Sequence, residues 1–370
     1  MKINRIEIRK LSLPLHEPWF TSTGKDTEKV FLLVTVITDE AEGYGECVAM
    51  RGPFYSEETT DTAWHILNEH LVPRVMDVEL QHPSEVRPLL AAVRGNRMAK
   101  SGLETAIWDA WAKENHISLA QALGGTKQEI EVGVSIGIQV DMMQLLGKIE
   151  TALEDGYKRI KIKIKPGWDL EVVSEIRRVF GKVELMVDAN SAYTLDDLTR
   201  LKELDQYDLT MIEQPLGYDD IYEHSVLQQN IRTPICLDES IRSLRDLKSA
   251  IAMQACKIVN LKIGRVGGFS EARDMQALCL EHGVAVWCGG MLESGVGRLA
   301  NIALTSLPGF TLPGDTAPSA HYFTEDIIEP SVMFSRPGFL KVPDGEGIGA
   351  KLNMKAVAHH TVRAGACNRR

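Results

Sequence analysis

Five ionisable residues of the sequence recur at nearly constant spacing. Steps of 25, 25, 25 and 24 residues separate, in chain order, Lys163, Asp188, Glu213, Asp238 and Lys262. Each residue ends a short apolar run, and one strand–helix repeat of an α/β barrel has about this length. If the runs are parallel strands of one sheet, their carboxyl ends meet on one face, where such barrels place their active sites.

Three of these five residues carry carboxylates. Carboxylates gathered in a small space repel one another and need a cation, and oxygen ligands without His or Cys select Mg²⁺ or Mn²⁺ over Zn²⁺. Each residue alone has another explanation, because Asp188 could cap a turn, Glu213 precedes a proline and Asp238 could cap a helix. The constant spacing is what favours a metal site.

Lysines flank the carboxylates on the preceding and the following strand. In residues 159–165, RIKIKIK, Ile and Lys alternate as in a β-strand. We expect Lys161 and Lys163 to point into the site and Lys165 to lie at the surface. A partly desolvated lysine near a divalent cation favours its neutral form, which is a general base. Lys163 and Lys262, on opposite sides of one carbon, could then remove and return a proton while the metal stabilises the enediolate.

The elements that must position these residues change character near residue 130. The first 125 residues have an α+β pattern, with two alternating strands and a helix over 100–113 whose apolar residues share one face. From residue 131, eight short apolar strands alternate with helices, which predicts a parallel sheet closed into a barrel. The last strand is 310–315, with no clear helix after it. The Pro/Gly-rich tail 336–352 is expected to return to the N-terminal domain.

Composition excludes several classes of protein. The 370 residues carry a net charge of −10, which argues against nucleic acid as the main partner. No apolar run is long enough for a membrane span, so no membrane association is predicted. The six cysteines are scattered without a C-x-x-C pair, and we expect free thiols in a reducing cytoplasm.

Several motifs together resemble a known family. They are KIKIKPGWD, VDANSAYT, IEQPL, LDES, VNLKIGRVGG, WCGGMLESGVGR and LPGDT. They are similar to the muconate-lactonizing subgroup of the enolase superfamily, and within it to the o-succinylbenzoate synthase / N-succinylamino acid racemase family. The resemblance implies an α/β fold in which a modified TIM barrel, (β/α)₇β, carries an α+β N-terminal capping domain completed by the C-terminal tail. The implied boundaries are 1–128 for the capping domain, 129–324 for the barrel and 325–370 for the return segment.

The resemblance also assigns roles by position. It implies catalytic Lys163 and Lys262, and Mg²⁺ (or Mn²⁺) ligands Asp188, Glu213 and Asp238. It implies that Lys161 contacts the carboxylate of a small-molecule substrate, that Asn190 and Glu239 tune the metal ligands, and that Ser135, Gly290 and Met291 line the pocket, with Asn190 also near the substrate. A loop over 17–24 would cover the substrate, and Phe323 would pack near it. A homo-oligomer is expected.

The family implies two reactions with one set of residues. One is syn dehydration to o-succinylbenzoate in menaquinone synthesis, and the other is racemisation of N-acylated, especially N-succinylated, amino acids. Arg265 resembles an arginine that accompanies racemase ability, although it could equally pair with a surface carboxylate. Muconate cycloisomerisation is an alternative. Dipeptide epimerisation is disfavoured, because Asp315 is followed by Thr316-Ala317 instead of a D-x-D. GVGRLA (295–300) does not directly follow a strand, which argues against a nucleotide site. A non-catalytic binding protein is the alternative from another class.

Overall fold

The computed structural model describes residues 1–20 and 25–369, so residues 21–24 of the predicted covering loop lie outside the described part. The strands are β1 (Arg5–Phe20), β2 (Lys25–Ile37), β3 (Glu42–Cys47), β4 (Glu129–Glu131), β5 (Gly133–Ile136), β6 (Arg159–Lys163), β7 (Leu185–Asp188), β8 (Ile212–Glu213), β9 (Ile235–Leu237), β10 (Ile258–Leu261), β11 (Ala285–Cys288), β12 (Ile328–Glu329), β13 (Phe334–Arg336), β14 (Phe339–Lys341), β15 (Lys351–Leu352) and β16 (Thr361–Asn368).

The chain also forms α-helices. They are α1 (Thr60–Ile66), α2 (Val72–Val75), α3 (Val86–Leu90), α4 (Arg97–Glu114), α5 (Leu119–Leu123), α6 (Met142–Glu154), α7 (Leu170–Phe180), α8 (Leu198–Glu203), α9 (Tyr222–Asn230), α10 (Leu244–Ala252), α11 (Ile263–Val266), α12 (Phe269–Glu281), α13 (Gly295–Thr305) and α14 (Met354–His360). Among the residues that the structure describes, no helix combines the length and the apolar character needed to cross a membrane.

An antiparallel sheet and a long helix form the N-terminal part. The strand order is β16-β1-β2-β3, and helix α4 packs across β3. A Cβ atom at Gly43 or Gly45 would lie 2.1 or 2.2 Å from a carbonyl oxygen of α4, so only glycine allows this close approach. The predicted helix over 100–113 is confirmed within α4, and its apolar face is buried against the sheet.

The second part is a curled parallel sheet with helices outside it. Its strand order is β5-β6-β7-β8-β9-β10-β11, which confirms seven of the eight predicted barrel strands. Residues 310–315 form no regular strand, because Pro313 has no N–H to donate. They still make parallel bridges from Phe310 to Val286 and from Gly314 to Val132. The last strand position therefore joins β11 to β5 and closes the ring.

Apolar side chains fill the bottom of this ring. Four strand residues and Met211, which directly precedes β8, form a buried cluster inside the ring, made of Met186, Met211, Cys236, Ile258 and Trp287. Because strand residues alternate in direction, the residue two positions after each of Met186, Met211 and Cys236 also points inward. Those residues are Asp188, Glu213 and Asp238. The packed floor thus sets the direction of the carboxylates above it.

The C-terminal segment returns in two places. Strand β14 pairs with β4, and Gly347 exchanges backbone hydrogen bonds with Ile117 and Leu119 near the end of α4. Strand β16 then pairs antiparallel with β1 and becomes the edge of the N-terminal sheet. The tail thus contacts the N-terminal part as expected, although residues 339–341 contact β4 first. The boundaries at 128/129 and 324/325 stay predictions.

Candidate active site

Three of the five spaced residues are direct partners across adjacent strands. Lys163 on β6 pairs with Asp188 on β7, which pairs with Glu213 on β8. The first two steps of 25 residues therefore each correspond to one step around the sheet at the same register. Lys163 Nζ donates to Asp188 Oδ2 at 2.6 Å and to Asn190 Oδ1 at 2.7 Å.

The other two residues reach the site from further along their strands. Glu213 pairs with Cys236, so Asp238 lies two residues beyond the shared register, and Lys262 directly follows β10. The nearly constant spacing therefore corresponds to one shared register for only three of the five residues. Strands in a barrel tilt and are staggered, which brings residues of different register to one end. Lys262 Nζ donates to Asp238 Oδ2 at 2.7 Å.

Lys161 lies between three carboxylates. Its Nζ is 2.6 Å from Asp315 Oδ2, 3.0 Å from Glu213 Oε2 and 3.5 Å from Asp188 Oδ2. Lys161 is buried and points inward, as the alternation predicted, and Lys165, which lies past the end of β6 and before Pro166, is exposed as expected.

The carboxylates differ in their protonation equilibria. Burial opposes the charge of Asp188, but Lys163 and Lys161 outweigh it and lower its pKa to about 2. The pKa of Glu213 is raised by burial and by the charge of Asp188, and that of Glu239 is raised by the same two causes. Three acidic groups therefore compete for positive charge in one buried volume.

Lys161 and Lys262 are held as ammonium ions in this arrangement. Burial lowers the pKa of Lys262, but Tyr55, Glu213 and Glu239 outweigh burial and raise it. Burial likewise opposes the charge of Lys161, and Asp315 and Glu213 raise its pKa. The neutral form expected of Lys262 is therefore not favoured here, because the carboxylates have Lys161 and Lys262 as counter-charges.

The donor set fits a hard divalent cation. Asp188, Glu213 and Asp238 offer only oxygen atoms, and the buried Oε2 of Glu239 has no hydrogen-bond partner. Over residues 1–20 and 25–369, no three His, Cys, Asp or Glu side chains approach closely enough to form a cage around an ion. Instead, each of the three carboxylates pairs with a lysine amine, and this pairing explains why the carboxylates lie apart from one another.

A cavity of about 660 Å³ lies above these residues. Its floor includes Lys161, Lys163, Lys262 and Glu239, and predicted pocket residues on its wall are Ser135, Asn190, Gly290 and Met291. Trp19, from the described part of the 17–24 segment, also lines it. Phe323 does not line the cavity but packs in the core, and its neighbour Tyr322 lies at the wall instead. A role for Phe323 near the substrate stays a prediction.

Arg265 and Glu239 adjoin the predicted ligands. Arg265 is only 4% exposed, and its guanidinium contacts Asp238 Oδ1 and donates to the Ile241 carbonyl at 2.9 Å. It therefore does not pair with a surface carboxylate. Glu239 Oε1 accepts from Asn190 Nδ2 at 3.0 Å, which links it to the partner of Lys163.

Sequence reasoning missed several residues of the site. Tyr55, from the N-terminal part, places its hydroxyl 3.2 Å from Lys262 Nζ and 3.3 Å from Asp238 Oδ1. Asn260 Nδ2 donates to Glu213 Oε1 at 2.6 Å. Buried Arg159 donates to Asp315 Oδ1 at 2.5 Å. Strand parity could have found Arg159 and Asn260, which share a face with Lys163 and Lys262, but no local pattern marks Tyr55.

Known proteins match the chain along nearly its whole length. The Enolase C-terminal domain-like family model matches residues 144–356, and the N-terminal domain model of mandelate racemase / muconate lactonizing enzyme matches residues 4–124. An o-succinylbenzoate synthase of Geobacillus kaustophilus is 52% identical over 362 residues, covering 98% of this chain and 96% of the relative. An N-succinylamino acid racemase of Amycolatopsis sp is 47% identical over 350 residues, covering 94% and 95%.

A solved structure agrees with these matches. The crystal structure of an enolase-superfamily member from Listeria innocua has a TM-score of 0.97 and 42% identity, and the match covers 100% of both chains. The predicted fold class is confirmed by this likeness. The chain therefore belongs to the enolase superfamily, with the N- and C-terminal domains of the mandelate racemase / muconate lactonizing enzyme group.

Proposed function

We propose that this protein is a Mg²⁺-dependent enzyme that removes the proton α to a carboxylate, acting as an o-succinylbenzoate synthase, an N-succinylamino acid racemase, or both. The observation that carries the proposal is the placement of Lys163 and Lys262. In a ring of eight strand positions, β6 and β10 are four positions apart in either direction, so the two amines approach the cavity from opposite sides. The names of the relatives support the reaction classes, a lyase and an isomerase.

Asp188, Glu213 and Asp238 would hold the metal ion. The free oxygen of Glu239 and the repulsion among the buried carboxylates support this assignment. When bound, Mg²⁺ would supply positive charge to the substrate carboxylate and to the enediolate, and would compete with the lysines for the acidic oxygens. Mn²⁺ would substitute, because it accepts the same oxygen ligands.

The lysines would move the proton. Lys163 is oriented by Asn190 Oδ1 and Lys262 by the Tyr55 hydroxyl, so each amine has a fixed approach to the substrate Cα. In racemisation, one amine takes the α-proton and the ammonium on the other side returns a proton to the opposite face. In syn dehydration, Lys163 alone transfers protons, and Lys262 remains a cation beside the enediolate. Lys161 would contact the substrate carboxylate at the floor of the cavity.

The remaining wall determines which substrates fit. Ser135, Asn190, Gly290 and Met291 would contact the substrate, and Phe323 would act through the neighbouring Tyr322. Arg265 contacts Asp238, which supports a tuning role for it in racemisation. A nucleotide is disfavoured at α13, because the N–H groups of Ser294 and Gly297 bind the carboxylate of Glu46. A cytoplasmic location and a homo-oligomer complete the proposal.

The test is incorporation of solvent deuterium at Cα of N-succinyl amino acids, run beside conversion of the cyclohexadiene dehydration substrate. With Mg²⁺, the wild-type protein should exchange the α-proton of both enantiomers, and comparing kcat/KM for the two substrates ranks the two activities. Lys163→Ala should abolish dehydration and racemisation, because the general base is lost. Lys262→Ala should abolish racemisation but allow exchange of one enantiomer without inversion.

Lys165→Ala is the matched control, because Lys165 belongs to the same Lys-Ile repeat but is exposed. It should keep wild-type rates. Full racemase activity in Lys262→Ala would refute the two-base mechanism, and a wild-type protein that exchanges no α-proton would point to a non-catalytic binding protein. Turnover of muconate or of dipeptides in preference to both substrates would favour the neighbouring activities of the subgroup.

A further inference from the structure

A second buried charge cluster lies behind the cavity wall and takes no part in the proposed chemistry. The first member of this cluster is Lys29 on β2, which is 3% exposed and far from the barrel in sequence. Lys29 Nζ donates to the carbonyl oxygen of Met291 at 2.8 Å and to that of Val48 at 3.2 Å. The ammonium thus reaches across the domain boundary to the backbone of a residue that lines the cavity.

Glu46 on β3 makes a parallel connection. Its Oε2 accepts from Ser294 Oγ at 2.6 Å, from Ser294 N at 3.0 Å and from Gly297 N at 3.2 Å. The carboxylate therefore binds the N-terminus of α13, where the helix leaves N–H groups unpaired. Burial raises the pKa of Glu46 to about 7 and lowers the pKa of Lys29, and the attraction between the two groups opposes both shifts. When they are ionised, these buried anchors make hydrogen bonds that are among the stronger ones in a protein.

The segment that they hold has no regular structure of its own. We call residues 289–294, between β11 and α13, the wall segment. Leu292 has a φ of 55°, which is unfavourable for a residue other than glycine. Gly290, Met291, Leu292 and Glu293 all line the cavity. Inside the segment, Met291 N donates to Glu293 Oε2 at 2.8 Å, so the position of one residue fixes that of the other.

Two basic and two acidic side chains surround the wall segment. They are Lys29 and Arg298, and Glu46 and Glu293, and each is at most 7% exposed. Arg298 Nη2 donates to the Glu293 carbonyl at 2.8 Å from the barrel side. The wall segment is therefore held on one side by the barrel and on the other by two strands of the N-terminal sheet.

We propose that Lys29 and Glu46 are positioning residues, through which the N-terminal sheet sets the shape of the cavity wall and so the affinity for substrate. They touch neither the lysines nor the carboxylates of the proposed proton transfer. Their loss should therefore raise KM more than it lowers kcat. The kinetic part rests on the proposed function, whereas the effect on the wall segment does not.

The experiment compares Lys29→Met with Lys127→Met. Lys127 Nζ also donates to two backbone carbonyls, those of Thr305 and Phe310, but unlike Met291 neither of these residues lines the cavity. Lys29→Met should raise KM for N-succinyl amino acids by about tenfold or more, the effect of losing a charged hydrogen bond, with kcat lowered less. Hydrogen exchange in the peptide over 289–297 should become faster in Lys29→Met and not in Lys127→Met. Lys29→Arg, which keeps a positive charge and hydrogen-bond donors, should have a KM between those of the wild type and Lys29→Met.

A folded Lys29→Met protein with wild-type KM and unchanged exchange over 289–297 would overturn the proposal. If Lys29→Met does not fold, Ser294→Ala carries the test, because it removes only the hydroxyl bond to Glu46. It should raise KM by about threefold to tenfold, and a wild-type KM there would overturn the proposal equally. A wild-type protein without turnover would refute the proposed function, while the exchange measurement would still decide the role of Lys29.

Discussion

Asp315 is the shared counter-ion of two buried cations. Its Oδ1 accepts from Arg159 at 2.5 Å and its Oδ2 from Lys161 at 2.6 Å, and these two side chains are 2% and 4% exposed. Burial opposes the charge of Asp315, but Lys161 and Arg159 hold its pKa far below the usual value. Replacing Asp315 with Asn keeps the shape and removes the charge, so both cations lose their nearest anion.

Removal of one partner from a buried ion pair costs about 3–5 kcal/mol. Lys161 retains Glu213 at 3.0 Å and Arg159 retains the Pro313 carbonyl at 3.2 Å, which favours the lower end. We therefore expect Asp315→Asn to lower the free energy of unfolding by about 3 kcal/mol at neutral pH, about a hundredfold in the equilibrium. Urea denaturation followed by circular dichroism measures this difference.

The matched control is Asp61→Asn, which removes an exposed partner of Lys10 at 2.7 Å. It should cost less than about 1 kcal/mol, as surface ion pairs do. Because Asp315 also fixes Lys161, Asp315→Asn should lower kcat/KM by about tenfold, the effect of one charged hydrogen bond. If the free energy of unfolding of Asp315→Asn lies within about 1 kcal/mol of the wild-type value, the buried charges are compensated elsewhere and the reasoning is refuted.

Three further predictions address the metal site, Tyr55 from the N-terminal part, and the pH dependence of the stability. Asp238→Asn should raise the Mg²⁺ concentration needed for half-maximal activity by at least about tenfold, because even the loss of a group that only supports a metal ligand typically costs that much; unchanged activity with chelator present would contradict a metal site. Tyr55→Phe should lower kcat for racemisation by about tenfold, because Lys262 loses an orienting partner at 3.2 Å. Polarimetry, which follows the optical rotation of the substrate over time, measures this rate. Asp169→Asn should lower the free energy of unfolding by about 1–2 kcal/mol at neutral pH. Burial opposes the charge of Asp169, but hydrogen bonds from Arg200 and Tyr193 lower its pKa. This contribution is present above the unfolded pKa of about 4 and is lost as the pH falls through the folded value. Urea midpoints of wild type and variant should therefore converge in acid.

The sequence predicted those parts of the site that repeat with the strands. Lys163, Asp188 and Glu213 occupy one register because each repeat advances by one strand, and this spacing can be read directly. The position of Asp238, two residues beyond that register, depends on strand stagger, which spacing does not show. The eighth strand was predicted from its apolar residues, but Pro313 prevents a regular ladder there.

Contacts across the domain boundary could not be predicted. Tyr55, Lys29 and Glu46 lie more than 200 residues from their partners Lys262, Met291 and Ser294 in the chain. Lys29 and Glu46 lie in antiparallel strands, where an inward charge resembles any other polar residue in the alternation. Only the packing of α4 and the wall segment against that sheet shows which polar side chains are buried.

The pairing of strand β16 with β1 affects how this chain folds during synthesis and how it would respond to truncation. Strand β16 is one edge of the N-terminal sheet, and its register runs from Arg5 opposite Asn368 to Leu11 opposite Thr361. During synthesis, the side of β1 that pairs with β16 stays without its partner until residues 361–368 have left the ribosome. A version cut before residue 361 would keep that side open to strands of other molecules, so it should aggregate even with an intact barrel.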